Sequence, residues 1–155
     1  MSRLPASTTL AFGVIMICAA GCSSGRVATK SRPVLRPFVS DGCSLFPDGT
    51  IKEKEKWKKC CVEHDIAYWQ GGTKQDRINA DIKLRDDILA KTGNKGLAEM
   101  VYQAVRTWGG PAFPSWYRWG YGWPYGRGYS SLTKRERKQI RKRLREYYES
   151  RKREK

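Results

Sequence analysis

The chain has 155 residues, room for one small domain plus tails, and a formal charge of +16 from 31 Lys and Arg against 15 Asp and Glu. Such a charge first suggests nucleic acid, but the N-terminus reads as an export signal, and an exported chain rarely meets nucleic acid, so none is expected as a partner. Anionic lipid head groups are the expected counter-surface.

In chain order, Arg3 precedes an apolar run from Leu10 to Ala20. That run is shorter than the roughly 20 residues needed to span a bilayer and fits the core of a secretory signal over residues 1–21. Ala19-Ala20-Gly21-Cys22 resembles a bacterial lipobox, although the usual Leu, Val or Ile is missing from its first position. An ordinary cleaved signal is the alternative. With Ser23 following, the lipobox reading makes Cys22 the lipidation site and the protein an outer-membrane lipoprotein of a Gram-negative bacterium. Export also permits disulfides. Cys18 leaves with the signal and Cys22 carries lipid, so Cys43, Cys60 and Cys61 can form one intrachain bridge and leave one thiol.

Residues 22–39 carry Ser, Arg, Pro33 and Pro37 without periodicity and read as a tether. The Gly, Pro and Asp content of Ser40 to Thr50 predicts a tight loop. A first helix is expected from about Glu53 to Gln70, ended by a left-handed stop at Gly71-Gly72. Thr73, with Asp76 three residues on, offers an N-cap for a second helix to about Thr92, and the short connection predicts an antiparallel pair. Ile78, Ile82, Ile88 and Leu89 mark its expected buried face. Asp81 falls inside that stripe, where a carboxylate is costly unless a partner satisfies it. Either it is solvated at the stripe's edge or it faces His64 across the pair. A third helix, about Lys95 to Trp108, has Leu97, Val101, Val105 and Trp108 as its packing stripe.

Residues 111–131 alternate Gly and Pro with Trp116, Tyr117, Trp119, Tyr121, Trp123, Tyr125 and Tyr129, a spacing no helix survives. Such aromatics suit a membrane interface or a loop wrapped over the helices. Residues 132–155 open with a capping box, Thr133 to Glu136, and predict a basic helix through about Ser150 with a narrow stripe of Ile140, Leu144, Tyr147 and Tyr148. From Ser131 on there are twelve Lys and Arg against four Glu, half the net charge. A stripe of that kind suits a membrane surface or an acidic partner, and a freely solvated tail is the alternative. The expected fold is all-α: an antiparallel helix pair carrying the active site, a third packing helix and a basic C-terminal helix.

The chemistry concentrates in Cys60-Cys61-Val62-Glu63-His64-Asp65-Ile66-Ala67-Tyr68, which holds the only histidine. On a helix, Trp57, Cys61, His64 and Tyr68 share a face, with Asp65 one step round. Three chemistries are open. A zinc site could use Cys60 and His64 at i, i+4 with Cys61 or Cys43, but no second His is present. A Cys–His nucleophile could use Cys60 or Cys61. A histidine could instead activate water beside calcium, a cation that takes carboxylate and backbone oxygens. Asp65 and the Asp41-Gly42-Cys43 loop supply those oxygens if Cys43 is tied to Cys61. That bridge would close a loop of about 18 residues, valued at about 3 kcal/mol by the chain-entropy model.

The same stretch resembles the active-site helix of secreted phospholipase A₂. Asp41-Gly42-Cys43 with Pro47-Asp48, Asp81 with Asp87-Ile88, and Tyr102-Gln103-Ala104-Val105 resemble the family's compact prokaryotic and fungal branch, in its order, across residues 40–110. The resemblance implies calcium-dependent hydrolysis of the sn-2 ester of glycerophospholipids. His64 would be the general base, Asp81 its partner, and Tyr68 the support of Asp81. Asp65, Asp41 and the Gly42 carbonyl would hold calcium in a loop tied by Cys43–Cys61. Animal members bridge the cysteine matching Cys60 to the opposing helix, where this chain has none, which leaves Cys60 a buried free thiol. A non-catalytic envelope lipoprotein that binds lipid or a partner is the rival reading.

Overall fold

A computed structural model describes residues 33–43 and 47–153. The expected signal segment and the expected lipidation site, Cys22, lie outside the described residues. Those described are all-α, with α1 at Lys58–Gln70, α2 at Lys74–Thr92, α3 at Lys95–Trp108 and α4 at Lys134–Arg153, and no strand among them.

Helix α1 starts later than the expected Glu53. The backbone N–H of Trp57 donates to the Asp48 carbonyl at 3.0 Å and its indole N–H to the Pro47 carbonyl at 2.6 Å. Those bonds tie the incoming chain to the 47–50 loop and keep it out of the helix. Helix α2 is capped as expected: Thr73 Oγ1 accepts from the Asp76 N–H at 3.1 Å, and Asp76 accepts from the Thr73 N–H at 2.8 Å. Asn94 caps α3, accepting from the Leu97 N–H at 3.0 Å. The Thr133–Glu136 box opens α4, which continues past the expected Ser150 to Arg153.

α1 is buried on two sides. Cys60 and Cys61 pack with Trp57, Leu84, Ile88, Ala98 and Val101. Trp69, with Val62 and Ile66 beside it, packs with Leu35, Phe38, Trp123 and Ile140. Such a helix shows no single apolar stripe, because both its faces are interior. Side-chain pairs run in reverse order along α1 and α2: Tyr68 meets Arg77, His64 meets Asp81, and Glu63 meets Lys83.

The second core corrects several expectations. Residues 33–39 are not free tether, since Leu35 is 0% exposed and Phe38 is buried beside Trp69 and Tyr147. The stripe of α4 packs onto its own domain: Ile140 is buried, and Leu144 and Tyr147 pack against the same cluster. That helix is therefore no freely solvated tail, and only Tyr148 of the stripe, 51% exposed, faces outward.

The aromatic segment wraps the helices. Its N–H groups complete the end of α1, where the last carbonyls have no partner within the helix. Gly120 donates to the Tyr68 carbonyl at 2.6 Å, Gly122 to Trp69 at 3.1 Å and the Trp123 indole to Gln70 at 2.8 Å. Gly71 accordingly does not form the expected left-handed cap. Its φ of 64° still favours glycine, but ψ is −165°, which turns the chain aside, and a Cβ there would sit 3.0 Å from the Gly120 Cα.

Two further stripes were mis-centred. The buried face of α2 is Arg77, Asp81, Leu84 and Ile88, with Leu89 37% exposed and Ile78 and Ile82 half-buried. Two of those four residues are charged, so hydrophobicity alone pointed to the neighbouring stripe. On α3, Trp108 is 54% exposed and meets Phe113 edge-on at 5.4 Å. Because Ile140 is buried and Tyr148 is not, Ile140→Ala is expected to cost about 2–5 kcal/mol of unfolding free energy. Tyr148→Ala should stay within about 0.5 kcal/mol; denaturant titration measures both.

Candidate active site

The disulfide Cys43–Cys61, with a Cα–Cα distance of 5.0 Å, ties the loop before α1 to the face of α1 that also carries His64 and Tyr68. One of the two cysteines beside His64 is thereby oxidised. The other, Cys60, is a buried free thiol whose burial pushes its pKa up. Neither residue is a ready thiolate, so the Cys–His nucleophile loses its reagent, and the zinc set loses Cys43 and Cys61 to the bridge.

His64 lies against α2, its Nε2 2.9 Å from Asp81 Oδ1. Asp81 is 0% exposed and, from α2, accepts from both α1 and α3. Tyr68 OH donates to Oδ1 at 2.7 Å, and Arg106 Nη1 of α3 donates to Oδ2 at 2.6 Å. Burial alone would raise the Asp81 pKa, but the bonds from His64, Arg106 and Tyr68 hold it below the usual carboxylate range. An ionised carboxylate only accepts, so in the neutral imidazole the proton of His64 belongs on Nε2 and Nδ1 keeps a lone pair.

Arg77, buried on α2, settles where Tyr68 points. The phenol has one proton and two acceptors in range, Asp81 Oδ1 at 2.7 Å and the Val105 carbonyl at 3.3 Å. Arg77 Nη2 donates to the Val105 carbonyl at 2.8 Å, and its Nε donates to Tyr68 OH at 3.0 Å. Both contacts favour delivery of the phenolic proton to Asp81. The remaining guanidinium bonds reach the Arg106 carbonyl and Tyr129 OH at 2.8 and 2.9 Å, joining the aromatic segment to the site. Burial and Asp81 both push the Tyr68 pKa up, so it stays a phenol.

Asp65 occupies the neighbouring position. Ser40 Oγ donates to its Oδ2 at 2.6 Å and accepts from the Gly42 N–H at 3.2 Å. Gly42 has φ of 104°, and a Cβ there would lie 2.3 Å from Asp48 Oδ1. Asp48 Oδ1 in turn accepts from the Cys43 N–H at 2.6 Å. Burial pushes the Asp65 pKa up to about 7; the Ser40 bond opposes this, and the Asp41 and Asp48 carboxylates add to it. A buried carboxylate pushed up by neighbouring acids is one that a hard cation would relieve. Among the described residues no three His, Cys, Asp or Glu side chains converge into a metal site, so backbone oxygens such as the Gly42 carbonyl would have to contribute.

His64, Asp65, Tyr68 and Gly42 line one cavity of about 340 Å³. Its walls are otherwise largely apolar, with Val101, Val105 and exposed Met100 and Trp108 of α3 and Tyr117 of the aromatic segment. The sequence-predicted residues His64, Asp81, Tyr68, Asp65 and Gly42 are thus brought together. Asp41 lies near enough to raise the Asp65 pKa. The sequence reading gave α3 no chemistry and so missed Arg106, and it missed Arg77 and Ser40. Arg77 had one available signal, its place four residues before a buried carboxylate on the same helix face.

The Asp65 shift carries a pH consequence. Its folded pKa, about 7, exceeds the usual value of 3.8. The folded protein therefore holds more protons than the unfolded chain between those two values, and stability falls as pH rises through that window. Asp81, with a lowered pKa, acts in the opposite sense below it. In chelator, thermal melts are expected to show Tm declining between about pH 4 and 7 relative to Asp65→Asn. No family model, curated protein or solved structure matches this chain.

Proposed function

We propose that the chain hydrolyses the sn-2 ester of glycerophospholipids as a calcium-dependent phospholipase A₂-like enzyme. The observation that carries this reading is the His64–Asp81 pair, 2.9 Å apart, with His64 in the wall of an apolar cavity that also contains Asp65 and Gly42. An acyl chain needs an apolar cleft, and an ester needs an activated water beside a centre of positive charge.

Asp81 and Tyr68 orient the imidazole so that Nδ1 can accept a proton from a water in the cavity. His64 returns that proton to the leaving alkoxide as the ester breaks, and Asp81 stabilises the transient imidazolium. Asp65, Asp41 and the Gly42 carbonyl would hold calcium, which supplies charge for the substrate phosphate and the developing oxyanion when bound. The Cys43–Cys61 bridge fixes that loop against α1, and the apolar wall receives the acyl chain while excluding bulk water.

One observation favours the rival, a non-catalytic protein that binds lipid with the same fold. Asp81 also carries Arg106 and, at 3.7 Å, Arg77, an ion cluster that would hold three helices together with no catalysis.

Hydrolysis predicts fatty-acid release from the sn-2 position of phosphatidylcholine, abolished by chelator. His64→Gln should lower it at least about 100-fold, and Tyr68→Phe by about 10- to 100-fold, with melting curves confirming folded variants. No release from calcium-loaded wild type supports the rival, and release that survives His64→Gln contradicts His64 as the base.

A further inference from the structure

The exposed side of α4 is a surface that the hydrolytic chemistry does not use. Its sequence, KRERKQIRKRLREYYESRKR, holds eleven Lys and Arg against three Glu. Two of the glutamates are engaged: Glu136 is buried, caps the helix and pairs with Arg127 at 2.6 Å, and Glu146 pairs with Arg143 at 3.0 Å. Lys134, Lys138, Arg141 and Arg145 are exposed, with no acidic partner among the described residues, and recur at intervals of four, three and four. Tyr148 and Lys152 continue the row. That spacing lines up one face, and at 1.5 Å per residue the row from Lys134 to Lys152 is about 27 Å long.

The opposite face is already spent. Ile140, Leu144 and Tyr147 pack against Leu35, Phe38 and Trp123. Leu35 N–H donates to Gln139 Oε1 at 3.1 Å, and Arg143 Nε donates to the Leu35 carbonyl at 3.3 Å. An amphipathic helix that inserts in a bilayer must give its apolar side to lipid. α4 could do so only by opening the second core. It is instead a cationic edge held in place by the domain.

We propose that the Lys134–Lys138–Arg141–Arg145 face of α4 docks the protein on an anionic bilayer by charge alone, without inserting. This deepens the phospholipase reading, on which it rests, by naming a surface that holds the chain at its lipid. A flat anionic bilayer fits the stripe because its charge is two-dimensional and the stripe carries no acid on that face from Lys134 to Arg145. Adhesion then falls with salt, as Coulombic attraction is screened.

The test uses the full-length chain and Lys138→Gln/Arg141→Gln/Arg145→Gln, which share one N-terminal segment and whatever affinity it adds. Partitioning is measured by sedimentation with vesicles of phosphatidylcholine alone or with phosphatidylglycerol. The substitutions are expected to weaken binding to anionic vesicles by about fivefold per charge at low salt, roughly 100-fold together. They should leave binding to neutral vesicles unchanged, and the difference should shrink in high salt. Hydrogen exchange of α4 amides should be the same with and without vesicles. Equal partitioning of the two chains overturns the proposal. So does a loss of heparin or DNA binding with vesicle binding intact, which assigns the stripe to a soluble polyanion. Faster exchange of α4 on vesicles overturns it in favour of insertion. Hydrolysis of a monomeric short-chain phosphatidylcholine tests the other reading separately: both chains should cleave it alike, and if neither does, the phospholipase reading fails while the docking result stands.

Discussion

The structure depends on one buried carboxylate. Asp81 has no solvent contact, so its charge exists only because protein donors replace water. His64 and Tyr68 come from α1 and Arg106 from α3, with the Arg77 guanidinium of its own helix α2 at 3.7 Å. Removing one partner of such a cluster leaves a charge uncompensated, which is far costlier than losing a surface pair. The same bonds that fix the helices fix the proton of His64 on Nε2. Packing and chemistry therefore share one constraint, and the site cannot loosen without the helices loosening.

A second constraint comes from outside residues 40–110. The end of α1, one turn beyond His64, is completed by N–H groups of Gly120, Gly122 and the Trp123 indole. Trp119 meets the Tyr68 ring edge-on at 5.1 Å, and Tyr129 holds Arg77. Arg127 stacks over Trp123 and pairs with Glu136, linking this segment to the start of α4. Residues 33–39, the aromatic segment and α4 thus form a back wall for the helix that carries the histidine.

Much of the helical side was legible because its signals are local. The Thr73 and Thr133 capping boxes and the glycine after Gln70 mark boundaries within a few residues, as caps do. Asp81 was readable as a partner for His64 because a carboxylate in an apolar stripe needs one. The back wall was not legible in the same way. Gly120, Gly122 and Trp123 act through contacts some fifty residues away in sequence, and a Gly- and Pro-rich run has no period to read. Leu35 and Phe38 sit in a stretch whose composition is that of a linker. Arg106 was hidden by α3's apolar pattern, which placed Trp108 in the core when it stands at the cavity wall.

Asp81, ionised and buried, holds the proton of His64 on Nε2 and leaves Nδ1 with its lone pair. His64 is the only histidine in the chain, so long-range proton–nitrogen NMR reports this one ring without ambiguity. Recorded at alkaline pH, where an imidazole is neutral, the spectrum is predicted to show a protonated Nε2 and an unprotonated Nδ1, with Asp81→Asn disturbing that pattern. A wild-type spectrum with the proton on Nδ1 would contradict the claim.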